Sequence, residues 1–465
     1  MEIKLYNSLS NKIEVFHPLH EGEVTCYVCG PTVYNYVHVG NMRPVVVFDV
    51  LRRLFLYLGY KVTFISNFTD IDDKIIKQAQ KENLTEAEIA EKYIKAFEEA
   101  REGVHALKPT YQPRVTKTMN QIIDFVKELI DKGYAYNIDG DVYFRVSKIK
   151  DYGCLSNMKI EDLLVGARIE ENSKKESPLD FALWKKTNEG IQFDSPWSTG
   201  RPGWHSECVV MINSLVPGGK IDIHGGGFDL KFPHHENEIA QEEAIKGHKI
   251  ANYWMHNGFI NVDNVKMSKS LGNVILANDY INLYGGNVVR FMLVNTHYRV
   301  PVNFSNDLVE SAKKELDKIS STYVKLAVNL QLNNISLEDY SKDDVDMQLF
   351  LEAMCDDLNT ANAMSELYRI VKEGNIALRN KPLDLQKIRK AFFTIKDMLY
   401  VLGFEFDIPH LTNEDIDLYK QYLKAKEEKN FAESDKIRPL LIERKILFEQ
   451  INVLMDYLEI ENPDS

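Results

Sequence analysis

At 465 residues and a formal net charge of −13, the chain is too long for one hydrophobic core and too acidic to grip nucleic acid indiscriminately. A local basic face docked on one folded RNA stays open. Five cysteines are too few for a disulfide framework, and no apolar run reaches the ~20 residues that span a bilayer. Residues 1–5 lack the basic and then apolar run of an export signal, so a cytoplasmic chain is expected.

Val24, Cys26 and Val28 alternate with Thr25 and Tyr27, the period of a buried strand. Val46, Val47, Val50, Leu51, Leu54 and Leu58 then recur at helical spacing. This predicts a helix over 41–57 with Asn41 as N-cap and Pro44 in the first turn, where no N–H is needed. Residues 61–67 read as a second strand, so 22–67 form a β-α-β unit. Its parallel sheet would carry ligands at the carboxyl ends of the strands. His38 and Gly40 fall at the strand-to-helix turn, where unsatisfied N–H groups favour phosphate and glycine allows close approach. Cys29 opens the same turn.

The acidic run Asp70, Asp72 and Asp73 is expected to start a helix rather than hold magnesium. Residues 84–135 read as helical. Between 136 and 195 the period shortens, and Asp139-Gly140 between apolar runs signals a hairpin. That region reads as a small mixed insertion between two halves of the sheet, with 172–178 an exposed loop. Trp204, His205, Glu207 and Cys208 follow, then His224-Gly225-Gly226-Gly227 and Asp229, then His234, His235 and Glu238. The glycines predict a turn that a nucleotide can approach, with Asp229 beside it for a ribose hydroxyl or an ammonium. A plain tight turn is the alternative. From 305 to 403 the pattern is almost wholly helical, Gly403 and Pro409 mark a boundary, and 412–460 form a last helical module.

A helix over 233–245 would put His234 and Glu238 at i and i+4 on one face. Joined by Cys29 and Cys208 from two other turns, they make a donor set that suits tetrahedral zinc. The spacing is not that of a local zinc finger, so plain core thiols stay open on spacing alone. Cys26, three residues before Cys29, falls on the opposite face of the strand and belongs to the core. Cys154 and Cys355 read as core or incidental thiols. His235 reads as a ring that orients a ligand or as a ligand itself, and Trp204 as an apolar wall or a core residue.

Far downstream of His38-Val39-Gly40-Asn41, the loop Lys266-Met267-Ser268-Lys269-Ser270 carries two lysines and two serines. In this order the two stretches resemble the HIGH and KMSKS signatures of class I aminoacyl-tRNA synthetases. Residues 27–74, 200–240 and 253–273 further resemble the bacterial cysteinyl-tRNA synthetase family. The resemblance implies an α/β fold with a Rossmann-like parallel-sheet catalytic domain in two halves, 1–120 and 200–304. A connective insertion at 121–199 would divide them. A helical bundle (305–405) and a small C-terminal anticodon-binding module (406–465) would follow.

The reaction implied is activation of cysteine with ATP, releasing pyrophosphate, then transfer to the 3′-terminal adenosine of tRNA(Cys). Matched residue by residue, the resemblance implies one zinc held by Cys29, Cys208, His234 and Glu238. The expected substrate pocket is Cys29, Thr69, Trp204 and His224. The expected ATP contacts are His38, Gly40, Asn41, Gly226, Asp229 and Lys269, with His38, Lys266 and Lys269 catalytic. Magnesium would accompany ATP, and a monomer is expected. Zinc would select a thiolate over a serine hydroxyl by bond chemistry, where an apolar pocket gains only roughly 10–200-fold, so no editing domain is expected. Asn41 stands where the signature has histidine, and from residue 445 the chain departs from the family's glycine-containing turn. Two alternatives remain. A cysteine ligase acting on an amino sugar would not need the module after 305, and a non-catalytic tRNA-binding paralogue would have lost His38 or the lysine loop.

Overall fold

The computed structural model describes residues 1–157, 174–267 and 272–447. The chain divides into two compact units. One comprises Met1–Leu316, Gln348–Glu366 and Met398–Glu405; the other comprises Asp317–Met347, Leu367–Asp397 and the chain from Phe406.

The first unit is built on a four-stranded parallel sheet, in the order Ala251–Asn257, Ile221–Gly227, Glu23–Val28, Lys61–Ser66. Tyr27, Val28, Ile221, Ile223, Trp254 and Met255 are all buried, as a sheet covered on both faces requires. The two inner strands each begin one half. Their crossover helices, Val39–Tyr57 and Glu236–Lys246, lead to opposite edges. Such a switch in strand order opens a crevice at the carboxyl ends of the inner strands. Cys29 leaves one of them and Gly227 ends the other.

The helix after the first strand starts earlier than the sequence suggests. Its N-cap is His38, in extended conformation, and the Asn41 side chain turns back to accept the His38 N–H at 3.1 Å. Asn41 thus plays the third-position part of a capping box rather than capping the helix itself. Pro44 therefore lies inside the helix, beyond its first turn, at the cost of the bond it would donate to the Gly40 carbonyl. Val46, Val47, Phe48, Val50, Leu51, Leu54 and Phe55 bury the inner face.

The stretch expected to be helical over 84–135 is interrupted. Helices Glu86–Gly103 and Met119–Asp131 flank an extended segment that bridges to the sheet edge, Ile65 with Tyr111 and Phe68 with Arg114. Pro109 and Pro113 forbid a continuous helix there. Asp72 caps helix Asp73–Glu82 by accepting the Lys74 N–H at 2.8 Å, the role read from its sequence. Asp70 is instead engaged by Thr116, through its N–H at 2.9 Å and its hydroxyl at 2.5 Å.

Between the halves lies a five-stranded antiparallel sheet, ordered Ala135–Ile138, Asp141–Phe144, Phe181–Lys186, Thr199–Pro202, Phe193–Asp194. Its first hairpin turns on Asp139 and Gly140, with φ of 55° and 100°, as the Asp-Gly pair predicts. Residues 172 and 173 of the expected exposed loop lie outside the described residues.

The second unit is helical. Val324, Val328, Tyr422, Ile437, Leu441 and Ile446 form a core that includes helices Asn413–Glu427 and Phe431–Glu443. The expected helical module from 448 onward lies outside the described residues. Among those described, no helix is long and apolar enough to cross a membrane.

Candidate active site

A cavity of about 480 Å³ opens at the crevice, lined by Cys29, Thr69, Trp204, Glu207, Cys208 and His234. His38, Gly40, Asn41, Asp229 and Lys266 line the same cavity. The two groups thus come from both halves of the sheet. Lys269, with Ser268 and Ser270, lies outside the described residues. The segment just beyond that loop returns to the first signature: Val39 donates to the Ile275 carbonyl at 3.0 Å, and Ala277 to that of Val37 at 2.9 Å.

Close backbone approach sets the wall beside Cys29. A Cβ on Gly30 would lie 1.6 Å from the Asn67 carbonyl oxygen, so only glycine fits. The Gly30 N–H donates to Asn67 Oδ1 at 2.9 Å. Thr69 N–H donates to the Pro31 carbonyl at 3.2 Å, and Val33 N–H to that of Thr69 at 3.1 Å. Cys29 and Thr69 are thereby held on neighbouring turns.

Cys29, Cys208, His234 and Glu238 present one donor atom each, all within 4.8 Å of one another. The thiols stand 3.7 Å apart, Cys208 Sγ is 3.6 Å from His234 Nε2, and Cys29 Sγ is 3.8 Å from Glu238 Oε1. A zinc tetrahedron with two sulfur ligands and two nitrogen or oxygen ligands has edges of about 3.3–3.8 Å. Three of the distances fit. The fourth, His234 Nε2 to Glu238 Oε1 at 2.8 Å, is a hydrogen-bonded contact that would open around an ion. The expected i, i+4 pairing of His234 and Glu238 is present, although the α-helix begins at Glu236 and His234 sits in the wider turn Lys231–His235 before it.

A second grouping, Cys29, His224, His235 and Glu238, shares two members. Its histidines are fully buried and absent from the cavity wall. His224 stacks on Trp254 at 4.6 Å and its Nε2 meets Glu238 Oε2 at 2.6 Å. His235 joins Cys29 Sγ at 3.3 Å to His256 at 2.9 Å, and His256 in turn meets the Ser8 hydroxyl at 2.8 Å. These rings stand behind the first grouping, and His224, expected in the substrate pocket, is buried away from the cavity wall. A histidine at a strand's interior register faces the core.

Electrostatics follow from the burial. The hydrogen bond from Cys29 leads in drawing the Cys208 thiol down to about 6, against desolvation. Burial and the same contact push Cys29 well up. Burial opposes charge on His234, but Glu238 and Cys208 outweigh it and carry the ring up to about 10. Desolvation also works against a charged Glu238, and His224 with His234 overcome it to hold that carboxyl well below its usual range.

The glycine triplet is not a turn. Gly225, Gly226 and Gly227 complete the strand Ile221–Gly227, and Gly226 is absent from the cavity wall. Their smallness serves packing, as Phe48 occupies the space above Gly225. Trp204 is 44% exposed and stacks on the His234 ring at 4.8 Å, so it is a wall beside the cluster rather than core. Lys266 Nζ lies 3.7 Å from the centre of the Phe259 ring. Sequence reasoning missed Glu207, which reads locally as a first-turn acidic residue, and His256, which reads as one more buried position of a strand.

The family described as tRNA synthetases class I (C) catalytic domain matches residues 15–314, and the DALR domain matches 349–407. A Brevibacillus brevis cysteine–tRNA ligase is 45% identical over 458 residues, covering 97% of this chain and 98% of its own. A Shouchella clausii cysteine–tRNA ligase is 48% identical, with 96% and 97% covered. Among solved structures, Mycobacterium tuberculosis methionyl-tRNA synthetase bound by methionyl-adenylate superposes with a TM-score of 0.60 at 13% identity, covering 89% of this chain and 96% of that one. An Agrobacterium radiobacter LeuRS–tRNA–LeuAMS complex gives 0.60 at 10% identity, with 83% and 85% covered. At such identities the likeness shows the fold, and the fold agrees with the α/β, parallel-sheet class I architecture expected from the sequence. With a catalytic-domain match across most of its length and relatives of one name across nearly all of it, the chain belongs to the cysteine–tRNA ligase family of class I tRNA synthetases.

Proposed function

We propose that the chain activates cysteine with ATP and transfers it to the 3′-terminal adenosine of tRNA(Cys). The observation that carries this reading is the cluster of half-buried Cys29 with buried Cys208, His234 and Glu238, opening into the cavity that His38, Gly40 and Lys266 also line. The relatives that share its whole length bear the same activity in their names.

In the first step the substrate carboxylate attacks the α-phosphate of ATP, and the bond to the β-phosphate breaks to release pyrophosphate. Phosphoryl transfer of this kind needs in-line positioning and charge stabilisation more than covalent help. At the helix terminus the Val39 N–H is engaged by Ile275. The donors for phosphate are then the Gly40 N–H and the His38 and Asn41 side chains. Asn41 accepts from His38 through Oδ1, which leaves its Nδ2 to donate. Lys266, with Lys269, neutralises charge on the departing phosphates. Asp229 takes a ribose hydroxyl, and magnesium accompanies ATP. In the second step a ribose hydroxyl of the tRNA attacks the activated carbonyl and the adenylate leaves.

The four donors suit zinc, which when bound supplies a soft Lewis acid that keeps a substrate thiol ionised. Cys29, Cys208, His234 and Glu238 would hold it, Trp204 would wall the pocket, and the buried histidines behind would keep the ligands in place. A serine hydroxyl in that pocket would lack the bond. The module from 406 onward is assigned to the anticodon, with the monomer as the working unit in the cytoplasm.

Cysteine-dependent ATP–pyrophosphate exchange, run beside serine with bound zinc quantified in the same sample, tests the reading. Exchange with cysteine only, in zinc-loaded protein, followed by charging of tRNA, is the expected result. No exchange despite full metal would overturn it.

A further inference from the structure

Glu207 is the first residue of helix Glu207–Leu215, 2% exposed, and it lines the cavity beside Cys208. Its hydrogen-bond partner is the Thr69 hydroxyl, at 3.0 Å from Oε2. Among the described residues no lysine or arginine forms an ion pair with it. A buried carboxylate is costly unless a cation or several donors compensate it. One hydroxyl does not.

Thr69 completes the pattern. Its single proton goes to Glu207, and the Asn67 amide donates to its oxygen at 3.4 Å. One lone pair remains, and Thr69 too lines the cavity. The wall next to the thiol cluster therefore offers two acceptors, and no lysine or arginine of the described residues pairs with them. Cysteine carries its ammonium two carbons from its sulfur. Glu207 and Cys208 are adjacent on one helical turn.

We propose that Glu207, together with Thr69, seats the α-ammonium of the amino-acid substrate and determines specificity for an α-amino thiol. The assignment rests on the cysteine reading above, and it leaves Asp229 to the ribose.

The test uses the full, metal-loaded chain and calorimetric binding of two thiols, cysteine and 3-mercaptopropionate, which lacks only the ammonium. Wild type is expected to prefer cysteine on the order of 10²-fold or more, as sites built around a hydrogen-bonded group reject analogues without it. In Glu207→Gln the preference falls to within about 10-fold, because a neutral amide cannot balance the ammonium. Affinity for 3-mercaptopropionate is kept, which also reports an intact fold and metal. A Glu207→Gln protein that keeps the wild-type preference overturns the proposal. If that variant loses both thiols, Glu207→Asp decides: restored preference supports the seat and its absence overturns it. Wild type that binds neither thiol overturns the cysteine reading itself, and the proposal with it.

Discussion

The Phe48 ring fills the space where a side chain on Gly225 would stand; a Cβ there would lie 2.2 Å from it. This contact seats helix Val39–Tyr57 on an inner strand, and the same helix begins at His38. Gly225→Ala must push the ring and the helix outward, and overpacking of this kind costs about 1–3 kcal/mol. We expect a lower melting temperature and a raised KM for ATP in pyrophosphate exchange. Wild-type values for both would show that the helix yields freely.

A second buried contact ties that helix down. Asp49 accepts from Arg290 at 2.6 Å, from Arg53 at 2.8 Å and from the Leu107 N–H at 2.8 Å. Burial alone would raise its carboxyl, but Arg290 and then Arg53 hold it below its ordinary range. A carboxyl depressed in the folded state stabilises the protein above its unfolded pKa of about 3.9, and that contribution is lost as pH falls through the folded value. Asp49→Asn strands two buried guanidiniums and should cost about 3–5 kcal/mol at pH 7. Urea unfolding at pH 7 and in acid should show the deficit shrinking below about pH 4. A deficit that is the same at both would rule out the ionised carboxylate as its cause.

Cys208→Ser removes one soft donor from the cluster. We expect bound zinc to fall and cysteine to weaken far more than ATP, with serine left as poor a substrate as before. Equal losses for cysteine and ATP would count against the cluster as selector.

Lys266→Ala should slow cysteine-dependent exchange by about 10²–10³-fold, the usual loss when a transition-state charge partner goes. Metal content and cysteine binding should not change. Exchange within a factor of two of wild type would assign the phosphate work elsewhere.

Much of this was legible in the residues alone, wherever the signal is local. The strand ending at Val28, the helix after His38, the Asp-Gly hairpin at 139–140 and the cap at Asp72 each follow from periodicity or turn chemistry within a few residues. The His234 and Glu238 pair follows from one helical turn. Where a local rule competed with packing, packing won. The glycines at 225–227 look like a turn, yet the strand continues through them because Phe48 needs the room. Asn41 looks like an N-cap, yet its side chain does its work from inside the helix.

What the sequence by itself determined, then, is the set of elements and the kinds of donor available, because those depend on neighbours one or two turns away. Only the tertiary structure decided which donors meet. Strand order and parallel register bring Cys29 and Cys208 to 3.7 Å although 179 residues separate them, and place Thr69 against Glu207 across 138. They also put His224 behind the cluster instead of in the cavity. No periodicity within a segment carries that information, because it belongs to the pairing between segments.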